Sequence, residues 1–194
     1  MISVIVPVHN QGKTIQAQIE RLYNLGVAKE IIVVNDGSQD NTAAALRELS
    51  WGGLKVIHHV SNRGPSAAVR TALEHASGDF IFIPNGNLED NPGSYLKLLD
   101  AINSSGADIV LGTRSNQPHQ GSRLKQAKNY FLAKILNIVC GVRLHGWFSH
   151  FQLIRRASLL DLSLQLKGPN IAFEIIIRGL RKKMRVAEVF ITND

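Results

Sequence analysis

Short apolar runs rich in β-branched residues alternate with helical patterns along the first 112 positions. The runs fall at 2–8, 30–35 (EIIVVN), 55–60, 79–84 (DFIFIP) and 108–112 (DIVLG). Each is nearly continuous in its apolar character, as expected of strands in a sheet covered on both faces. The segments between them predict helices over 14–25, 41–50, 65–76 and 94–105. In the first, Ile15, Ile19, Leu22 and Leu25 recur at helical spacing. Pro65 suits the first turn of its helix, where its missing N–H would be unpaired anyway. Strand–helix–strand repetition of this kind predicts an α/β fold, a Rossmann-like and mainly parallel sheet with helices on both faces.

After Gly112 the rhythm changes. Residues 113–121 (TRSNQPHQG) read as a polar loop, and 122–139 as a long basic amphipathic helix. Further strands are expected at 151–155 and 186–191, with a helix at 171–180. No internal repeat and no low-complexity linker is visible.

Composition adds bounds. The chain has 194 residues, 44% hydrophobic and 19% charged, which is globular composition with length enough for a core. Cys140 stands alone, so no internal disulfide is available. Its apolar surroundings predict a small buried hydrophobe, and a reducing, cytoplasmic setting fits. The opening MISVIVPVHN looks like a strand rather than a secretion signal. The oiliest stretch, FLAKILNIVCGV, is interrupted by Lys134 and Asn137 and is too short to span a bilayer. The net charge of +7 is unevenly spread. Residues 1–119 hold nine basic against eleven acidic side chains, and residues 120–194 hold thirteen against four. The basic excess belongs to the second part, where it is either a solvated face or a surface for phosphates or anionic lipid heads. Nucleic acid is a poor match, because aromatic residues are few and no binding module is visible.

Ligands of open parallel sheets bind at the carboxyl ends of the strands. That rule selects 7–11, 36–40, 62–65, 85–90 and Thr113–Arg114. Gly12-Lys13-Thr14 invites comparison with a phosphate-binding P-loop, but the glycine required five positions earlier is Pro7, which has no N–H to offer. A dinucleotide fingerprint is also absent after the first strand. Asp36-Gly37-Ser38 suits either a ligand-facing carboxylate or a turn with a helix cap. Asn62 and Gly64 open a helix whose N–H groups suit either an anion or a plain strand-to-helix turn.

In order along the chain stand SVIVPVHN, EIIVVNDGSQDNT, SNRGPSAAVRTALEHASGDFIFIPNGNLEDNP and DIVLGTR. Together these pieces resemble the family 2 glycosyltransferases of GT-A fold, closest to the dolichyl- and polyprenyl-phosphate sugar transferase type. SHFQLIRRASL and FEIIIRGLRKKMRVAEV fit the family's second half more weakly. The resemblance implies one domain over 1–194, with 1–115 as the nucleotide-sugar half and 116–194 as the acceptor-side half. It implies that Pro7, His9 and Asp36 meet the base and ribose of the donor, and that Arg114 and Arg123 meet phosphates. It also implies a divalent cation, Mg or Mn, held by an Asp-x-Asp motif that bridges the donor diphosphate. This sequence has Asn85 and Asn87 there, two neutral amides and weaker ligands for a hard cation. Glu89 and Asp90 follow, as helpers for an ion or as an acidic helix start. Asn35 replaces a further Asp, Gly146 and His150 replace an expected Asp and Gly, and Phe190 replaces a Pro after Glu188.

The reaction implied is transfer of a sugar from a nucleotide diphosphate to a lipid-linked phosphate. Such an acceptor is already anionic and needs no general base. The helix over 122–139 would then lie on the membrane surface, with Arg123, Lys125, Lys128 and Lys134 toward lipid heads, giving a cytoplasmic chain held at the inner face. The degenerate metal motif leaves a second reading open, a non-catalytic relative that binds nucleotide-sugar or a partner protein.

Overall fold

The computed structural model describes residues 1–26, 28–84, 92–114, 123–147, 149, 151–162 and 171–191; for 92–93, 114 and 123–130 it describes the backbone path alone. Seven strands form one sheet: β1 (Ile2–Val8), β2 (Glu30–Asp36), β3 (Leu54–His59), β4 (Phe80–Ile83), β5 (Ile109–Arg114), β6 (Gln152–Arg155) and β7 (Val186–Ile191). Their order is β3-β2-β1-β4-β6-β5-β7, and β6 alone among them runs antiparallel to its neighbours. The carboxyl ends of the six parallel strands therefore share one edge with the amino end of β6.

The period-two alternation of strand side chains divides the core. Val4, Val6, Ile31, Val33, Phe82 and Val110 face one way, against α1 (Ile15–Asn24), α2 (Thr42–Arg47) and α4 (Pro92–Ser105). Ile5, Ile32, Val34, Ile81, Ile109 and Leu111 face the other, toward α3 (Pro65–His75), α5 (Arg123–Cys140), α6 (Arg156–Asp161) and α7 (Ile171–Arg181). Both faces are covered, which is why the strand sequences read as unbroken apolar runs.

Local signals explain the helix limits. Ile15, Ile19 and Leu22 form the buried stripe of α1, and Gly26 in the left-handed region (φ 65°) follows its end. Pro65 starts α3 as expected. Several expected limits shift by a few residues. Val60 lies beyond β3 and is exposed, α2 is shorter than 41–50, and α5 runs to Cys140. Cys140 is half-buried against the core rather than enclosed. The short helix α6 has no counterpart in the sequence reading; it follows β6 without a turn, and Leu159 is its buried anchor.

Candidate donor site at the carboxyl edge of the sheet

Three loops meet beyond β1, β2 and β3. Their contact is close because glycines sit where backbones touch. Gly37 takes φ 62°, and a Cβ there would run into the backbone of Ser61 and Asn62. At Gly12 a Cβ would lie 2.8 Å from the backbone of Asn41 and Thr42. Hydrogen bonds sew the first two loops together. Asn10 N–H donates to Ser38 Oγ (2.9 Å), Gln39 N–H to Asn10 Oδ1 (2.9 Å), Gln11 N–H to Thr42 Oγ1 (2.8 Å) and Gly12 N–H to Asp40 Oδ2 (3.0 Å). The Thr42 hydroxyl and the Gly12 N–H hold the Asp40 carboxyl below the usual range.

Asp36 ties in the third loop. Its carboxylate is turned inward and accepts from Arg63 N–H (2.9 Å), Gly64 N–H (2.7 Å) and the ring Nδ1–H of His59 (2.7 Å). The His59 Nε2 in turn pairs with Thr71 Oγ1 of α3 at 2.9 Å. The anion at the start of α3 is thus the chain's own Asp36, and the N–H groups of Arg63 and Gly64 are already taken. Direct acceptance from a base or ribose is not the geometry seen for this carboxylate, because burial and three protein donors hold it inside. Asn35 is also used internally, with Oδ1 accepting from Ser38 N–H (3.2 Å) and Nδ2 beside His58 Nδ1 (3.1 Å).

The exposed surface of this junction belongs to His9 and its neighbours. His9 Nδ1 lies 2.9 Å from the Asp36 carbonyl oxygen, so that nitrogen carries the proton. Nε2 then accepts from Asn10 Nδ2 at 3.2 Å. Pro7, half-buried, stands in β1 beside Val34. Pro7, His9 and Asp36 are therefore brought together. Arg114 ends β5, paired in register with Ile191, four strands from Asp36. With about 4.8 Å between neighbouring strands, that places the two roughly 19 Å apart along the edge. Arg123 is the first residue of α5. Asn85, Asn87, Glu89 and Asp90 lie outside the described residues, as does His150.

A second carboxylate, within β7, organises the β5–β7 side of the sheet. Glu188 accepts from the Thr113 hydroxyl, from His145 N–H (3.0 and 3.1 Å), from Gly146 N–H and from His145 Nδ1–H (2.9 Å). A Cβ on Gly146 would collide with Thr113 Oγ1 and Glu188, which accounts for a glycine where the resemblance expects an acid. The strand-end rule selects Thr113, but nothing in the sequence singles out His145 or joins either residue to Glu188. Partners 43 and 75 positions apart leave no local signal. Glu174 makes an ordinary i,i+4 pair with Arg178 (2.6 Å) on α7. Phe151 packs edge-on against Phe82 and Tyr95 beneath the edge, at centroid distances of 4.9 and 5.1 Å.

The pattern of Glycosyl transferase family 2 matches residues 3–163. The chain belongs to this family. Among its relatives, the dolichol-phosphate mannosyltransferase of Pyrococcus furiosus is 31% identical over 97% of this chain and 55% of its own length. The dodecaprenyl-phosphate galacturonate synthase of Rhizobium johnstonii is 24% identical over 99% and 58%. The chain thus spans little more than half the length of the curated relatives it matches. A solved structure of Mycobacterium tuberculosis glucosyl-3-phosphoglycerate synthase, in complex with Mn2+, uridine diphosphate and phosphoglyceric acid, superposes with a TM-score of 0.78 at 21% identity. It covers 99% of this chain and 69% of that one, and another structure of that enzyme holds Mg2+ with uridine diphosphate. The likeness establishes the expected GT-A fold.

The family's divalent cation meets an ill-suited donor set here. Asn85 and Asn87 offer neutral amide oxygens where two charges are needed. Among the described residues no group of three or more His, Cys, Asp or Glu is placed to hold an ion.

Proposed function

We propose that this chain binds a nucleotide-sugar at the junction of the β1, β2 and β3 loops and transfers the sugar to a polyprenyl phosphate. The observation that carries the reading is the locked convergence of those loops in a member of family 2. His9, Pro7 and the 36–38 turn would line the nucleoside end, with Asp36 shaping the pocket from beneath. Arg114 and Arg123 would lie toward the phosphates, beside Asn85 and Asn87. Residues 1–115 would serve the donor and 116–194 the acceptor. In the reaction an acceptor phosphate oxygen attacks the anomeric carbon as its bond to the diphosphate breaks. The nucleoside diphosphate departs with the electron pair, and arginines spread its charge.

The acceptor's lipid nature finds support in α5. Phe131, Leu132, Ile135, Ile138 and Val139 are all exposed along it, beside an exposed Lys134. Such an apolar stripe with basic flanks suits the interface of a bilayer, in keeping with a cytoplasmic chain held peripherally at the inner face. Among the described residues no helix is long and apolar enough to cross a membrane.

A second reading, a non-catalytic relative that binds nucleotide-sugar, is favoured by Asn85 and Asn87. Calorimetric titration with UDP- and GDP-sugars, with and without Mn2+, separates the two when repeated on Asn85→Asp/Asn87→Asp. Binding by the parent chain without metal, followed by sugar transfer to a polyprenyl phosphate, is the outcome expected of a working enzyme. Metal-enhanced binding seen only in the double variant would assign the chain to the non-catalytic class. No binding by either protein would refute the donor site.

A further inference from the structure

The loop between α5 and β6 is fixed far more firmly than its exposure requires. The Asn137 side chain donates to Leu144 O (3.0 Å), and its oxygen accepts from Leu144 N–H (2.9 Å) and from the Trp147 ring N–H (2.8 Å). Trp147 is wholly buried. Ser149 Oγ donates to Gly112 O at 2.6 Å. Glu188 takes the N–H groups of both His145 and Gly146. Between these anchors stands His145, whose side chain is 70% exposed while that of Glu188 is 10% exposed. A solvated histidine gains little folding energy from so many restraints, whereas a ligand-binding side chain gains a fixed aim.

The ring's chemistry is set as well. The Glu188 carboxylate accepts from Nδ1–H, which leaves Nε2 directed away from that bond, and no described residue is bonded to Nε2. A carboxylate behind an imidazole fixes its tautomer and its orientation. Phe190, half in solvent, lies with its ring 5.7 Å from the imidazole and forms an apolar wall beside it. Among the described residues the charged group bonded to the ring is Glu188 of β7. The site sits at the β5–β7 end of the edge, away from the junction assigned to the nucleoside.

We propose that His145, aimed by Glu188, binds the phosphate monoester of the acceptor through Nε2–H, with Phe190 against the first carbons of its hydrocarbon chain. The proposal rests on the donor-site reading above for the direction of transfer, but phosphate binding at His145 is measurable without it. A charge-assisted N–H···O bond to phosphate is the interaction invoked.

The test uses the full chain with 15N-labelled histidine, a C10 prenyl phosphate as the probe, and the C10 prenyl alcohol, inorganic phosphate and UDP as comparison arms. The prenyl phosphate is expected to move the His145 ring nitrogens toward their imidazolium positions, with the alcohol and UDP leaving them unmoved and inorganic phosphate binding more weakly. His145→Gln should weaken prenyl phosphate binding by about tenfold, the scale of one hydrogen bond to a charged group. Because His145 is exposed, the variant is expected to melt with the parent, and Glu188→Gln gives a second route to the same loss. Unchanged affinity in His145→Gln, or a ring response to UDP in place of prenyl phosphate, overturns the proposal. Nucleotide-sugar titration of the same sample keeps the two readings apart. Donor binding with a silent His145 sinks the inference alone, and a responsive His145 without donor binding sinks only the donor reading.

Discussion

Asp36, the last residue of β2, and Glu188, within β7, are both nearly buried carboxylates, each paired with a histidine. They differ in what they do with that histidine. Asp36 holds His59, whose side chain is 5% exposed and is closed off by Thr71 on its other side. Glu188 holds His145 in solvent, with Nε2 left for something outside the chain. The first arrangement encloses its charge within the chain, so under the proposed donor reading ligand contacts would fall to neighbours such as His9. The second uses a charge to aim a side chain outward. A strand carboxylate near the ligand-facing loops is therefore not by itself evidence of ligand contact; the exposure of its partner decides.

Removal of the carboxylates should separate these roles. Asp36→Ala leaves the N–H groups of Arg63 and Gly64 and the His59 ring without their acceptor. A loss of about 4 kcal/mol in urea unfolding is expected, within the range for breaking a buried charged network. Donor binding should be lost with it.

A third carboxylate, Glu30, sits at the opposite edge and supplies a control far from either site. Burial pushes its carboxyl up, but hydrogen bonds from Ser3, the Ser77 N–H, Lys55 and the Ser77 hydroxyl outweigh this and bring it down to about 2. A depressed folded value means that the stabilisation is complete above the ordinary value of 4.5 and is lost as pH falls toward 2. A loss of about 3 kcal/mol is expected over that window. In Glu30→Gln the acid dependence over the same window should shrink by a similar amount, and nucleotide binding at neutral pH should persist.

Gly146→Ala should cost about 2 kcal/mol in thermal unfolding, since its Cβ must displace Thr113 or Glu188. Donor affinity should change far less than in Asp36→Ala, because the strain lies at the β5–β7 end. Smallest in stability is Ile138→Asp on the exposed stripe of α5. It should change folding by less than about 0.5 kcal/mol while reducing co-sedimentation with anionic vesicles several-fold. Sedimentation of the parent that ignores both salt and anionic lipid would refute the membrane reading.

The sheet, its two covered faces and most helices are legible in the sequence because apolar periodicity is set by burial on both sides of each strand. The convergence of the loops is legible for a similar reason, since parallel strands direct their following loops to one place. The task of Asp36 is not legible. Nothing local says whether its carboxylate turns outward or toward the Arg63 and Gly64 amides, a choice made by the path of the third loop. Asn137 reads as a polar break in an oily helix, yet it clamps Leu144 and Trp147. Gly146 reads as a lost acid, and only the approach of Thr113 and Glu188 explains it.

The central claim, that the β1–β3 loop junction is the donor pocket, is tested most directly by backbone amide mapping during titration with UDP- and GDP-sugars. Shifts are expected at His9–Gly12 and Gly37–Ser38, with Glu30, Ser77 and Gly78 at the opposite edge unmoved. Saturable binding whose shifts avoid the junction, or no shifts with either donor, would contradict the account.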